Sequence, residues 1–309
     1  MDTTTEIKTV AGEETTKGKP LQFAFYLNKE GKSKGTISTY ISLLSKLSKH
    51  ADLEEPETVK LHLSEINTAT NTKASYRVAY TAFLTWQDKK WKAPKYTARS
   101  PIPEFIPTEQ EIDQLISGCG RKTATILQAI KETGMRIGEC LRLKWTSLNE
   151  EAHTLTLNTP EKHGLPRIFP VSPKLTMMLQ SLHKTHERIF GVTQTKSAEN
   201  CFKKAREKIA RKVKNPRLAK IHFHLVRHWK GTMEYHKTHN IDHVRRLLGH
   251  RSVLPTQIYI NMEQAIFSGT ANEYHVKAVS TVKEATALLA VGFEYVTEVD
   301  GKKLFRKRK

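Results

Sequence analysis

The chain has 309 residues, 38% hydrophobic and 27% charged, and no run approaches the 18 or more apolar residues that a membrane-spanning helix needs. Lys and Arg number 51 against 31 acidic residues, a formal net charge of +20, which points to a polyanionic partner, nucleic acid first. Cys119, Cys140 and Cys201 lie far apart without a CxxC pair, which speaks against a disulfide framework or a cysteine zinc site and fits a reducing cytoplasm.

Residues 1–17 are acidic and Thr-rich, lack the basic-then-apolar pattern of a secretory signal, and read as a disordered leader. A helical region follows. Ile37, Tyr40, Ile41, Leu44 and Leu47 recur at helical spacing, with Thr36 placed as N-cap. A second strong helix spans about 72–88, with Tyr76, Tyr80, Phe83, Leu84 and Gln87 down one side, and shorter segments at 20–29 and 56–65 complete a four-helix set. Together these predict a small basic helical domain over 18–90, whose Lys73 and Arg77 are candidate phosphate contacts. Residues 89–107 carry four prolines and many cations and read as an interdomain linker, placed at 91–107 once the second helix is allowed to run out.

Thr108 with Glu111 forms a capping box that opens a second domain, 108–272, with helices to about 117 and over 122–133. After Trp145 the period changes to two: "HTLTLNT" and "RIFPVS" predict two strands joined by a polar turn over 162–166. A helix over 197–214 turns Phe202, Ala205 and Ile209 inward and crowds cations on its other side, among them Lys203, Lys204 and Arg206 as candidate DNA contacts. Residues 223–268 read as helical. A tail over 273–309 begins with a helix capped by Thr281 and Glu284 and ends in a hairpin turning at Asp300-Gly301. The "GCGRKT" at 118–123 lacks the first glycine of a phosphate loop and is discarded.

Breaking a phosphodiester without a metal requires cations at its non-bridging oxygens, an in-line nucleophile and an acid for the leaving 5′-oxygen. Arginine suits the first task, because its planar fork matches two phosphate oxygens and keeps its charge. Tyrosine suits the second, because its ester conserves the bond energy for rejoining. The sequence offers such a set in order: Arg136 in "ETGMRIGECLRLKW", Lys162 in the turn between the strands, His224, Arg227 and His228 in "HLVRH", then His250 and, nine positions on, Tyr259. Each alone has a bland explanation: a surface salt bridge, a solvated turn lysine, a structural histidine, a core tyrosine. The ordered set is much harder to obtain by accident.

These blocks resemble the tyrosine recombinase family, which includes lambda-type integrases and Xer-type recombinases. Thr133, Gly134, Arg136, Glu139, Leu143 and Trp145 match its first box, T-G-x-R-x-x-E-x-x-x-L-x-W. His224, Arg227, His228, Leu248, Gly249, His250 and Tyr259 match its second. The catalytic resemblance covers about 108–268, the segment 20–90 is similar to the family's N-terminal core-binding domain, and "RHWKGTMEYHKT" and the closing residues look similar to archaeal members. The turn departs from the family's Gly-Lys-Gly by reading Glu-Lys-His-Gly-Leu-Pro-Arg.

The resemblance implies a mainly α fold with a small β-sheet: a SAM-like helical core-binding domain followed by an α+β catalytic domain. It implies site-specific recombination through a 3′-phosphotyrosine on Tyr259. His224 takes up the tyrosine proton, Arg136 and Arg227 hold the phosphate, His250 donates to it, and Lys162 protonates the leaving oxygen. Arg167 is a contact to the DNA backbone, and Glu139 a structural partner within its helix. The implied partner is a double-stranded recombination site bound by a homotetramer in synapsis, with monomers or dimers when free. No metal, nucleotide cofactor, small-molecule substrate or membrane is involved, and the location is the cytoplasm, at the nucleoid. Alternatives from other classes are a type IB topoisomerase, which relaxes supercoils without a specific site, and a catalytically silent DNA-binding regulator on the same scaffold.

Overall fold

A computed structural model describes residues 19–97, 103, 105–162, 164–192, 194–267, 274–299 and 301–308. The expected leader and the tip residue His163 of the polar turn lie outside them. The chain divides into two compact units, Met1–Pro101 and Ile102–Lys309.

The first unit is helical. α1 (19–29), α2 (Lys34–Leu47), α3 (Pro56–Glu65) and α4 (Thr70–Trp86) surround a core of Phe23, Leu27, Leu44, Leu47, Val59, Leu63, Tyr76, Tyr80, Phe83 and Leu84. Phe23 and Phe83 meet edge to face at 5.4 Å, and the buried Tyr80 satisfies its hydroxyl on the Leu53 carbonyl at 2.9 Å. α2 starts three residues earlier than Thr36 predicts. Ser33 is the cap, and its hydroxyl accepts from the Thr36 amide at 3.2 Å. Trp91 and Tyr96, inside the expected linker, pack on this core, and the Trp91 indole donates to Thr81 Oγ1 at 3.1 Å.

The second unit opens with α5 (Glu109–Gly118), held by the predicted Thr108–Glu111 capping box, and α6 (Arg121–Thr133), α7 (Ile137–Leu141) and α8 (Pro173–Gln180) follow. Between α7 and α8 lies an antiparallel sheet in the order β1 (Leu148–Asn149), β2 (Thr154–Leu157), β3 (Arg167–Pro170). The short β1 adds a third strand to the two expected. α9 (Thr195–Lys212) and α10 (Arg217–Lys220) precede the segment expected to be continuously helical, which is three helices: α11 (Phe223–Thr238), α12 (Ile241–Leu248) and α13 (Ile258–Phe267). Asn240 restarts the chain, its side chain accepting from the amides of Asp242 and His243, and Gly249 stops it at φ +69°. One core runs from Ile112 to Trp229, and a satellite of Val244, Leu248, Tyr259 and Met262 lies under α13.

The last module is β4 (Tyr274–Val279), α14 (Val282–Ala290), β5 (Glu294–Val299) and β6 (Lys302–Arg308), with strand order β4-β6-β5 and a core of Leu288, Phe293 and Phe305. Thr281 and Glu284 cap α14 as expected; β4 was not foreseen. Ala285 and Leu288 turn to this core, whereas Val282 and Leu289 are exposed. The expected fold class, mainly helical with small sheets, holds.

Candidate active site

On α11, positions 224, 227, 228 and 231 recur at spacings of three and four, so they share one face. Arg227 is 1% exposed. Its Nη1 donates to the Gly134 carbonyl at 2.6 Å, and its Nη2 donates to the Leu248 carbonyl at 3.0 Å. Those carbonyls sit at the C-terminal ends of α6 and α12, each closed by a left-handed glycine, Gly134 at φ +66° and Gly249 at φ +69°. Two helix C-termini therefore present freed carbonyls and the negative ends of their dipoles to one guanidinium. Burial lowers the Arg227 pKa to about 10, with the charge of Arg136 acting in the same direction, so the group remains charged at neutral pH.

Arg227 Nη2 also lies 3.0 Å from His250 Nε2. A guanidinium has only donors, so this nitrogen must accept, and the ring carries its proton on Nδ1, which meets Thr256 Oγ1 at 2.9 Å. Burial, with the charges of Arg227, Arg136 and Arg167, holds the His250 pKa down to about 3. A hydrogen bond from His250 Nε2 to a phosphate thus requires protonation or a turn of the ring.

Arg136 precedes α7 in extended conformation, and the buried Glu139 carboxylate organises its surroundings. Glu139 accepts from the Arg136 amide at 2.9 Å, from Arg136 Nη1 at 3.1 Å and from the Glu161 amide at 3.1 Å, and pairs with Arg167 Nη2 at 3.0 Å. Burial alone would raise its pKa. The Arg167 charge, the two amides and Arg136 outweigh that and hold it below the usual carboxylate range. Glu139 thereby joins the first box to β3 and the turn before it, which extends the within-helix role expected for it.

Arg167 sits elsewhere than a DNA-backbone contact requires. It is 9% exposed, its Nε donates to Leu165 O at 3.1 Å and its Nη1 to Leu247 O at 3.2 Å. A Cβ at Gly249 would lie 2.6 Å from its Cζ, so glycine there serves both the backbone turn and the close approach of this guanidinium. Lys162 occupies the turn with φ +52° and is exposed. Its charge is among those felt by His224.

Tyr259 lies near the start of α13, 2% exposed. A Cβ at Gly231 would meet its Cε1 and Cζ at 2.7 Å, so the bare glycine lets the ring seat against α11. Burial raises the tyrosine pKa, while Arg227 and Arg136 pull it the other way; the net shift is upward, and the phenol is protonated at neutral pH. Gly231→Ala should expel the ring from this seat, lowering stability by about 1–3 kcal/mol as overpacking does. Cleavage should fall with it, as a thermal melt and an adduct assay on the same preparation would register.

His228 stands between the other two rings, 4.5 Å from His224 and 5.8 Å from Tyr259 between centroids, and its buried Nδ1 has no hydrogen-bond partner among the described residues. Its place in the His-x-x-Arg-His block was visible, but not its position between His224 and Tyr259. Desolvation, then neighbouring positive charge, lowers the pKa of His224 to about 4 and of His228 to about 3. An unfolded histidine titrates near 6.5, so between these values the unfolded chain binds more protons. Folding stability should therefore fall as pH drops from about 6.5 towards 4, and duplex DNA, which favours imidazolium, should flatten the slope. A melting temperature constant from pH 7 to pH 4.5 without DNA would contradict this.

Of the remaining candidates, Lys203 and Lys204 are exposed on α9. Arg206 is turned inward, donating to the Ile221 carbonyl and lying 5.6 Å from the Phe202 ring centre. In the first unit Lys73 donates to Ser64 O at 3.2 Å and Arg77 to Pro94 O at 3.5 Å, so both also tie local structure. Lys203, Arg206, His222 and His224 line a cleft of about 250 Å³ beside the N-terminus of α11.

Two arginines, two histidines of lowered pKa and a buried tyrosine thus lie together beside the C-termini of two helices. Residues 107–265 match the model of the phage integrase family. The chain belongs to that family, the one its motifs indicate. It is 28% identical over 252 residues to tyrosine recombinase XerA of Pyrococcus furiosus, covering 77% of this chain and 87% of that relative. It is 27% identical over 197 residues to tyrosine recombinase XerC of Natranaerobius thermophilus, covering 57% and 64%. In fold it is similar to the Tn1549 transposon integrase in complex with transposon right end DNA, with a TM-score of 0.60, 15% identity and coverage of 82% of this chain and 99% of that one. It is also similar to a lambda integrase tetramer bound to a Holliday junction, with a TM-score of 0.59, 16% identity and coverage of 77% and 75%. Among the described residues no helix is long and apolar enough to cross a membrane.

Proposed function

We propose that this tyrosine recombinase exchanges DNA strands at a specific site through a 3′-phosphotyrosine on Tyr259. The observation that carries the reading is the grouping of Arg136 and Arg227, whose charges both act on the buried Tyr259 phenol, with His250 3.0 Å from Arg227 and the His228 and His224 rings alongside. Tyr259 attacks phosphorus as its proton passes to His224, with His228 between them. The Tyr–O–P bond forms as the P–O5′ bond breaks, and Lys162, free to swing on an exposed turn, gives its proton to the departing 5′-oxygen. Arg136 and Arg227 hold the non-bridging oxygens, where negative charge accumulates. The incoming 5′-hydroxyl of a partner strand then reverses the step, so bond energy is kept in the ester and no nucleotide is consumed.

The partner in this reading is a duplex recombination site. Two duplexes, each cut on both strands, need four nucleophiles and hence a tetramer in synapsis. Exposed Lys203 and Lys204 supply backbone contacts, and the place of action is the nucleoid.

The test is a suicide duplex nicked close to the cleavage position, from which the small leaving fragment escapes. The wild-type chain should accumulate a denaturation-resistant protein–DNA adduct at one sequence and join two such sites. Relaxation of site-free supercoiled plasmid, with no exchange between sites, would instead identify a topoisomerase. Binding without adduct on any substrate would identify a silent regulator.

A further inference from the structure

His236 on α11, His239 at its C-terminal end and Glu263 on α13 bring one ligand atom each to within 4.8 Å of one another. The cluster lies outside the strand-transfer centre and has no part in its chemistry. Three features mark it as a built site. The Glu263 carboxylate is nine-tenths buried and already held by His236, whose Nδ1 lies 2.8 Å from its Oε1. The His236 ring is fixed in orientation, stacked on Phe267 at 3.7 Å between centroids and 13° between planes. His239 takes the left-handed conformation, φ +48°, at a helix end where α6 and α12 use glycine. A β-carbon there carries a conformational cost that glycine would avoid, and it places the imidazole beside the other two ligands.

We propose that His236, His239 and Glu263 bind a divalent transition ion of the zinc type, which fastens α13, the helix bearing Tyr259, to the end of α11. Two imidazoles and one carboxylate suit zinc, and a tetrahedral site completes itself with water. Metal–ligand bonds of about 2.0–2.2 Å set neighbouring ligand atoms about 3.4 Å apart, so the 2.8 Å His236–Glu263 pair opens by about 0.6 Å and any separation near the 4.8 Å limit closes by about 1.4 Å. The ion takes the place of the proton that His236 Nδ1 shares with Glu263, and that proton leaves to solvent. His239 is exposed, which gives the ion a route in. Glu263 lies four residues beyond Tyr259 on α13, so the fastening acts one helical turn from the nucleophile.

The full-length chain, stripped with chelator, would be titrated with Zn²⁺ and, separately, with Co²⁺ as a spectroscopic probe. His239→Asn keeps the left-handed end, which asparagine tolerates, and removes the ligand; Glu263→Gln removes the charge. Wild type should take up one ion more than either variant, with the absorption of a tetrahedral Co²⁺ complex. Its melting temperature should rise by several degrees with Zn²⁺, and amide exchange should slow in α13. Affinity at this site should drop at least tenfold in His239→Asn. Equal uptake and equal thermal shift in wild type and His239→Asn would assign the metal to other histidines and overturn the site, as would no uptake by wild type. Uptake without slower exchange in α13 would overturn the fastening. None of these readouts depends on DNA cleavage, so the site and the strand-transfer reading fail separately.

Discussion

Tyr259→Phe should yield no covalent adduct on the nicked suicide duplex while binding that duplex as the wild type does. The substitution removes one oxygen, the atom proposed to bond to phosphorus, and leaves the ring that fills the space against Gly231. Burial of the ring in the cluster with Val244, Leu248 and Met262 is retained, so the melting temperature should stay within the range of a single lost hydroxyl, about 1 kcal/mol. The unsubstituted phenol is held protonated by burial, so attack depends on a proton acceptor. His224→Ala should therefore slow adduct formation without abolishing it, because His228 stands between the two and is also neutral. Adduct at full yield from the Phe variant would transfer the nucleophile's role to another residue.

The centre was legible in the sequence because its groups are carried by local patterns that chain geometry makes obligatory. A His-x-x-Arg-His block on a helix puts its members on one face, and a Leu-Gly-His block ends a helix, frees a carbonyl and aims the next side chain. The two capping boxes, at Thr108 and Thr281, were visible for the same reason: each is a contact between residues three apart. What stayed hidden depended on distant partners. Alternation puts Arg167 on the same face of β3 as Phe169 and Val171, and nothing local says that a cation can be buried with them. The structure buries that face and exposes Ile168 at 68%, and Glu139, far away in sequence, supplies the carboxylate that lets Arg167 be buried there. Arg206 likewise spends its guanidinium on the Ile221 carbonyl, a partner no helical wheel of α9 contains. Thr36 and Ser33 are both good caps, and α2 starts from Ser33, whose hydroxyl accepts from the Thr36 amide. β4 pairs with the last strand, so nothing in its own short sequence announces it.

Arg136→Ala and Arg227→Ala should both suppress cleavage by roughly 100- to 1000-fold, the usual cost of one lost electrostatic donor at a transition state, yet they should differ in stability. Arg136 keeps 17% of its side chain accessible and pairs with Glu139, which Arg167 and two amides also satisfy. Its loss removes a phosphate ligand from a frame that survives, so the melting temperature should change little. Arg227 is almost wholly buried and bridges the ends of α6 and α12 to His250. Its loss strands two carbonyls and a ring nitrogen in a buried space, and each such unsatisfied group costs about 1–3 kcal/mol. Arg227→Ala should therefore melt well below the wild type and lose cleavage for two reasons at once. Arg227→Lys separates them. A lysine ammonium restores a buried charge but reaches fewer acceptors and cannot present a fork to two phosphate oxygens. Stability should recover in part while cleavage stays low. Recovery of both together would mean that Arg227 acts only by holding the two helix ends, and that Arg136 carries the phosphate without it.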